Sequence, residues 1–121
     1  MRAKRTDSNQ ASIVKDLREL GFQVVVTNLG DDYPDLMVGS KGTWTLIEIK
    51  KPDGDFTRGQ LEFLADARGP IGYATDTGEA IGLIYGDHLT LGQRIHISQW
   101  LIKNPDQQSL SVKKLRKLVN A

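Results

Sequence analysis

Residues 35–50 read DLMVGSKGTWTLIEIK, two short runs rich in apolar and β-branched residues around a glycine-containing connection. The runs at 35–38 and 43–50 predict two strands, and the segment 39–42 predicts a tight turn between them. Since side chains alternate along a strand, Glu48 and Lys50 fall on one side and Ile49 on the other. The turn would place Asp35, at the start of one strand, beside Glu48, near the end of the next.

The flanking sequence extends this pair of strands into an α/β domain. Upstream, the spacing of apolar residues predicts a helix that ends at Gly21, with Asp7 and Gln10 as a capping box at its start. A strand at 22–27 follows it. Downstream, the pattern predicts a helix capped by Thr57, a strand at 71–74 and a short helix from Asp76 to Ile84. The predicted order is αβββαβ, with a central mixed sheet flanked by helices.

The last third of the chain has weaker patterns. We expect an extended segment at 89–97, a helical turn at 99–103 and a helix at 109–119. Residues 1–87 are interpreted as the core, and residues 88–121 as a basic extension packed on the same single domain.

Composition narrows the classes of function. The chain has 121 residues, a net charge of +1 and no cysteine, which excludes a disulfide scaffold, thiolate zinc sites and cysteine nucleophiles. Residues 6–87 carry 7 cations and 14 anions, whereas residues 88–121 carry 6 cations and one anion. No apolar run approaches the roughly 20 residues that span a bilayer. We expect a cytoplasmic protein without a membrane contact.

Asp35, Glu48 and Lys50 form the constellation that can carry chemistry. Two carboxylates roughly 4 Å apart repel each other, and a divalent cation removes that conflict. Magnesium accepts one or two carboxylates and is completed by water and phosphate oxygens. Lys50 could then orient a water molecule or neutralise charge on a phosphate. The alternative is that Asp35 serves a turn while Glu48 and Lys50 form a solvated cross-strand pair.

The stretches at 33–39, 44–50 and 57–60, with the opening residues 5–10, resemble the PD-(D/E)XK nuclease superfamily. The similarity covers about residues 4–84 and is greatest to small stand-alone VRR-NUC type endonucleases of phages and bacteria, relatives of Holliday-junction resolvases. It implies a restriction-endonuclease-like fold and a DNA endonuclease that depends on Mg²⁺, with Mn²⁺ as a substitute. Branched or junction DNA is an implied substrate, and RNA stays an open alternative.

The resemblance also assigns roles to single residues. Asp35, Glu48 and the backbone carbonyl of Ile49 would hold the metal, and Lys50 would be the catalytic lysine. Gln60 either faces the active site or completes a capping box with Thr57.

The remaining assignments concern the first helix and the nucleic acid. Gln10 stands where the superfamily often has an acidic residue, which leaves the number of metal ions open. Lys51, Arg58 and Arg5 are the predicted nucleic-acid contacts.

Cutting both strands of a duplex would need two copies of so small a domain, which predicts a homodimer. No small-molecule cofactor is expected, and the setting would be the cytoplasm of a bacterium or a phage-infected cell. Two other classes of function stay open. One is a nucleic-acid-binding module that keeps the nuclease fold without turnover, motivated by the missing acid on the first helix. The other is a phage factor that binds a protein partner through its C-terminal helix.

Overall fold

The computed structural model describes residues 8–121 and has an α/β architecture, as predicted. A four-stranded mixed sheet is flanked by helices, and a two-stranded ribbon lies beside it. The helices are α1 (Gln10–Glu19), α2 (Arg58–Asp66), α3 (Thr77–Gly82), α4 (Leu91–Lys103) and α5 (Val112–Val119). The strands are β1 (Gln23–Val26), β2 (Leu36–Ser40), β3 (Thr43–Ile49), β4 (Asp55–Thr57), β5 (Ile71–Ala74) and β6 (Ser109–Ser111).

The main sheet has the strand order β1-β2-β3-β5. Strands β1, β2 and β3 are antiparallel neighbours, and β5 pairs parallel with β3 after the crossover through α2. The predicted tight connection is a two-residue hairpin loop, because Ser40 pairs with Thr43. Its residues Lys41 and Gly42 both have positive φ, 51° and 79°, which is typical of the type I′ turn that suits strand twist.

The two faces of the sheet bury different clusters of apolar side chains. Ile47 and Ile49 point toward α1 and α3, whereas Leu46 and Tyr73 face the cluster formed with α2, α4 and α5. Gly72 permits the close packing behind β5, since a Cβ there would lie 2.3 Å from a methyl group of Leu83. The odd and even positions of β3 therefore serve opposite layers, as strand alternation requires.

The C-terminal third contributes to the core rather than lying on it as a tail. Seven of its apolar residues are buried with α2 and β5 in one cluster, namely Leu89, Ile97, Leu101, Leu110, Val112, Leu115 and Val119. Strand β6 also pairs with β4, so the segment that directly follows Lys50 is joined to the end of the chain.

Two local predictions were wrong, and a third concerns a residue outside the described range. The segment 89–97 is helical from Leu91 onward, because Thr90 and Gln93 form a capping box that begins α4. The last helix begins at Val112, with Ser111 as its N-cap, and the preceding residues 109–111 form β6. Helix α1 begins after Asn9; the predicted cap at Asp7 lies outside the described residues.

Across residues 8–121, no helix has the length and apolar character needed to cross a membrane.

Candidate metal and nucleic-acid site

Asp35 and Glu48 lie side by side on the face of the sheet that α2 covers. The pairing of Leu36 with Ile47, continued by one residue, sets Asp35 opposite Glu48. Both side chains belong to the face opposite Leu36 and Ile47, and both residues are only 4% exposed. The sequence prediction that the hairpin brings these two carboxylates together agrees with this geometry.

The Asp35 carboxylate is fixed by the backbone of the neighbouring strand. Its Oδ2 accepts a 2.7 Å hydrogen bond from the N–H of Ile49. Because β2 begins only at Leu36, the carboxylate takes the place that a strand carbonyl would have as acceptor. Asp35 therefore has a defined orientation before any ligand arrives.

Lys50 follows the last residue of β3 and is buried, at 9% exposure. Its backbone N–H extends the parallel pairing by donating to the Ala74 carbonyl at 3.0 Å. The ammonium Nζ donates to the backbone carbonyl of Asp55 at 2.8 Å and lies 5.2 Å from the ring centre of Phe56. The aliphatic stem thus crosses from β3 to β4, and the charge is held by a carbonyl and an aromatic face.

Gln60 completes the capping box of α2 and also contacts Glu48, so the two alternatives that the sequence left open do not exclude each other. Its Oε1 accepts the N–H of Thr57 at 3.0 Å and completes the capping box of α2. Its Nε2 donates to Glu48 Oε1 at 3.3 Å and to the carbonyl of Asp31 at 2.8 Å. The two ends of one amide serve the two roles, because the helix N-terminus lies directly above the sheet.

Gln10 begins α1 and is buried. Its Oε1 has no hydrogen-bond partner in the described part of the chain. The preceding Asn9 ties α1 to the sheet, since its Nδ2 donates to the carbonyls of Lys50 at 3.1 Å and Thr75 at 2.9 Å. Asn9 was not assigned a role from the sequence, and because its side chain makes no capping bond to α1, the preference for asparagine at helix starts would not have revealed these contacts.

The predicted nucleic-acid contacts separate in space. Lys51 is exposed beside Lys50, which suits both a nucleic-acid contact and a solvated lysine. Arg58 instead lies against the C-terminal turn of α4, where its guanidinium donates to the carbonyls of Leu101 at 2.9 Å and Asn104 at 2.8 Å. These contacts make Arg58 a capping residue of α4, and its contact with nucleic acid stays a prediction. Arg5 lies outside the described residues.

The donor set fits a hard divalent cation. It consists of two carboxylates, which is the number that magnesium usually takes from a protein, and no nitrogen or sulfur ligand. Residues 8–121 contain no group of three or more His, Asp or Glu side chains arranged to hold a metal ion. A cation between Asp35 and Glu48 would therefore complete its shell with water, backbone oxygen or phosphate.

No protein-family model matches the sequence, and no curated protein or solved structure with significant similarity to it was found. The functional interpretation consequently depends on the residues of the site themselves.

Proposed function

We propose that the protein is a metal-dependent DNA endonuclease that hydrolyses phosphodiester bonds at the site of Asp35, Glu48 and Lys50. The observation that carries the proposal is that two buried carboxylates lie opposite each other on β2 and β3, with the buried Lys50 two residues after Glu48. Charged side chains are seldom buried unless hydrogen bonds, ion pairs or a metal ion compensate them. Metal-dependent phosphodiester hydrolysis can use these three groups, with the carboxylates as metal ligands and the ammonium beside the phosphate.

The carboxylates of Asp35 and Glu48 would hold Mg²⁺ or Mn²⁺, with the carbonyl of Ile49 as a further ligand. When bound, such a cation supplies Lewis acidity toward a phosphate oxygen and lowers the pKa of coordinated water. The hydrogen bond from Ile49 N–H keeps the Asp35 carboxylate in place, and the Gln60 amide does the same for Glu48. Preorganised ligands of this kind reduce the reorganisation that binding would otherwise require.

Lys50 would act on the substrate phosphate. Among residues 8–121 its ammonium makes one hydrogen bond, to the Asp55 carbonyl, so further N–H groups can donate to a phosphate oxygen or to the attacking water. A positive charge at that point stabilises the negative charge that grows on the phosphate oxygens. Lys51, the next residue in the chain, is exposed and would contact a neighbouring phosphate of the DNA backbone.

The proposal includes the setting of the reaction. The substrate is DNA, including branched or junction DNA, and a homodimer would bring two sites to the two strands. The protein would act in the cytoplasm of a bacterium or of a phage-infected cell.

The decisive experiment compares Lys50→Ala with Lys51→Ala on linear duplex, four-way junction and single-stranded RNA substrates. We expect the parent protein to cleave the DNA substrates in Mg²⁺ or Mn²⁺ and not in EDTA. Lys50→Ala should lose this cleavage, and Lys51→Ala should retain it while binding DNA more weakly. Parent protein that cleaves none of the substrates in either metal, or Lys50→Ala that cleaves as the parent does, would refute the proposed reaction.

A second candidate is a nucleic-acid-binding module with the same fold and no turnover. It is motivated by Gln10, the first residue of α1, which stands where the resemblance implies an acidic residue. Binding that depends strongly on salt and is indifferent to divalent cations would support this candidate over the nuclease.

A further inference from the structure

Strand β4 has two edges, and only one of them faces β6. The N–H of Val112 donates to the Gly54 carbonyl at 3.0 Å, and the N–H of Arg58 donates to the Gln108 carbonyl at 2.8 Å. In an antiparallel pair the hydrogen-bonded residues alternate with residues whose backbone groups point away. The backbone groups of Asp55 and Thr57 therefore point to the opposite edge of β4.

That outer edge binds two side chains of the candidate site. The Asp55 carbonyl accepts from Lys50 Nζ at 2.8 Å, and the Thr57 N–H donates to Gln60 Oε1 at 3.0 Å. The same strand thus contacts the C-terminal extension on one edge and the chemistry-bearing residues on the other.

Phe56 lies between these two contacts and turns its side chain inward. Its ring is fully buried, lies 5.2 Å from Lys50 Nζ, and meets Tyr73 edge-on at 5.1 Å between ring centres. Leu110, its partner on β6, belongs to the same buried cluster. The position of the aromatic face under the ammonium consequently depends on β6.

We propose that the C-terminal ribbon strand β6, with the first residue of α5, is a positioning element for Lys50 and Gln60. It acts through β4 and touches neither the substrate nor a metal ion. This inference rests on the proposed function, in which Lys50 acts on the phosphate. Under this inference, residues 109–112 support the active site indirectly, through their pairing with β4.

Val112→Pro tests the inference at one hydrogen bond. Val112 is the first residue of α5, a position that favours proline, and Ser111 has φ −68° and ψ 153°, which suit a residue before proline. The substitution removes the donor to Gly54 while keeping a small apolar side chain. Leu91→Pro is the control for proline at the first position of a helix, because Leu91 is the first residue of α4, Thr90 has φ −75° and ψ 164°, and α4 does not pair with β4. Val112 is buried whereas Leu91 is exposed, so urea unfolding of both variants measures the packing cost separately.

The first readout is DNA cleavage at saturating metal. We expect Val112→Pro to lower kcat about tenfold with KM unchanged within about twofold, and Leu91→Pro to change neither, because small displacements of a reacting group are costly. A folded Val112→Pro protein with the kcat of the parent would overturn the inference. If neither the parent protein nor Leu91→Pro cleaves DNA, the result would instead count against the proposed function.

The second readout is independent of activity. The rate of acetylation of Lys50, followed by peptide mass spectrometry, should be about tenfold below that of exposed Lys51 in the parent, since burial and the bond to Asp55 protect the amine. Val112→Pro should raise the Lys50 rate severalfold, and Leu91→Pro should leave it unchanged. An unchanged Lys50 rate in folded Val112→Pro would refute the positioning role even in a protein that cleaves nothing.

Discussion

Gln60 donates from its Nε2 to the carboxylate of Glu48 at 3.3 Å, while its Oε1 caps the helix on which it lies. A neutral amide can make both contacts, because it carries a donor at one end and an acceptor at the other. A glutamate could keep the cap but could not donate to Glu48. A glutamine at position 60 therefore serves two purposes, since it caps α2 and donates a hydrogen bond to Glu48.

We predict that Gln60→Glu lowers the free energy of unfolding by about 2 kcal/mol at pH 8 without divalent cations. The variant loses the donors to Glu48 and to the Asp31 carbonyl and adds a like charge beside a buried carboxylate. Millimolar Mn²⁺ should recover most of the loss, because the variant gains a third oxygen ligand. Urea unfolding with and without Mn²⁺ measures both effects.

Gln93→Glu is the control for that substitution. Gln93 completes the same capping box in α4 with Thr90 on the surface, and its Nε2 donates to the neutral side chain of Asn120 at 3.3 Å rather than to a carboxylate. Its unfolding free energy should stay within about 0.5 kcal/mol of the parent. Equal losses in the two variants would assign the effect to the cap alone.

Asp35→Asn should abolish cleavage while leaving the fold intact. The amide oxygen can still accept the hydrogen bond from the N–H of Ile49, so the free energy of unfolding should change by about 1 kcal/mol or less. A neutral amide is a weaker ligand for a hard cation, and we expect cleavage to fall at least about 100-fold, or about 3 kcal/mol of transition-state stabilisation. Titration calorimetry with Mn²⁺ should show weaker uptake.

Asp32→Asn serves as the comparison for Asp35→Asn. Asp32 is exposed and contacts the Thr57 hydroxyl at 3.4 Å, outside the pair of metal-binding candidates. Its cleavage rate should stay close to that of the parent. Cleavage by Asp35→Asn at the parental rate would remove Asp35 from the proposed mechanism.

Arg58→Gln should destabilise the protein rather than weaken its binding to DNA. The guanidinium donates to the carbonyls of Leu101, Asn104 and Gln107 at the end of α4, and charged hydrogen bonds of this kind contribute about 1.5–3 kcal/mol. Urea unfolding should show a loss of about 2 kcal/mol. In fluorescence anisotropy at two salt concentrations, Lys51→Gln should weaken DNA binding more than Arg58→Gln does. The reverse order of DNA affinities, with unchanged stability in Arg58→Gln, would return Arg58 to the nucleic-acid path.

The parts of the site that could be predicted from sequence are those fixed by local rules. The two-residue turn at Lys41 and Gly42 sets the register of β2 against β3, and that register alone places Asp35 opposite Glu48. The Thr57 cap with Gln60 three residues later is likewise a short-range pattern. Each of these depends on residues close together in the chain, where turn and helix geometry leave few choices.

The contacts that hold Lys50 and Arg58 could not be predicted in this way. The pairing of β4 with β6 joins residues more than fifty positions apart, and three-residue strands carry almost no periodic signal. Leu91, Ile95 and Ile97 fall at odd positions that also fit a strand, although only Ile97 of these is buried in α4. Tertiary packing and a capping box decided that segment in favour of a helix.

The last prediction concerns the ion pair that joins α5 to α3. Arg116 donates to both oxygens of Glu79, at 2.9 and 2.7 Å, and Thr75 donates to Oε1 through its N–H and its hydroxyl. Burial by itself raises the pKa of the Glu79 carboxyl, but the hydrogen bonds from Thr75 and the charge of Arg116 together bring that pKa below its ordinary value of 4.5. A carboxyl whose pKa is lowered on folding stabilises the protein above its unfolded pKa and loses that contribution as the pH falls through its folded pKa.

Glu79→Gln should therefore be less stable than the parent at pH 7, by about 1 kcal/mol or less because the pair is partly exposed. The difference should shrink as the pH falls below 4.5. Urea unfolding at pH 7 and at about pH 3 measures the difference, with Glu19→Gln as the control, since Glu19 is exposed and lies 3.9 Å from Lys15. A difference between Glu79→Gln and the parent that is the same at both pH values would show that the ionised carboxyl contributes nothing to the folded state.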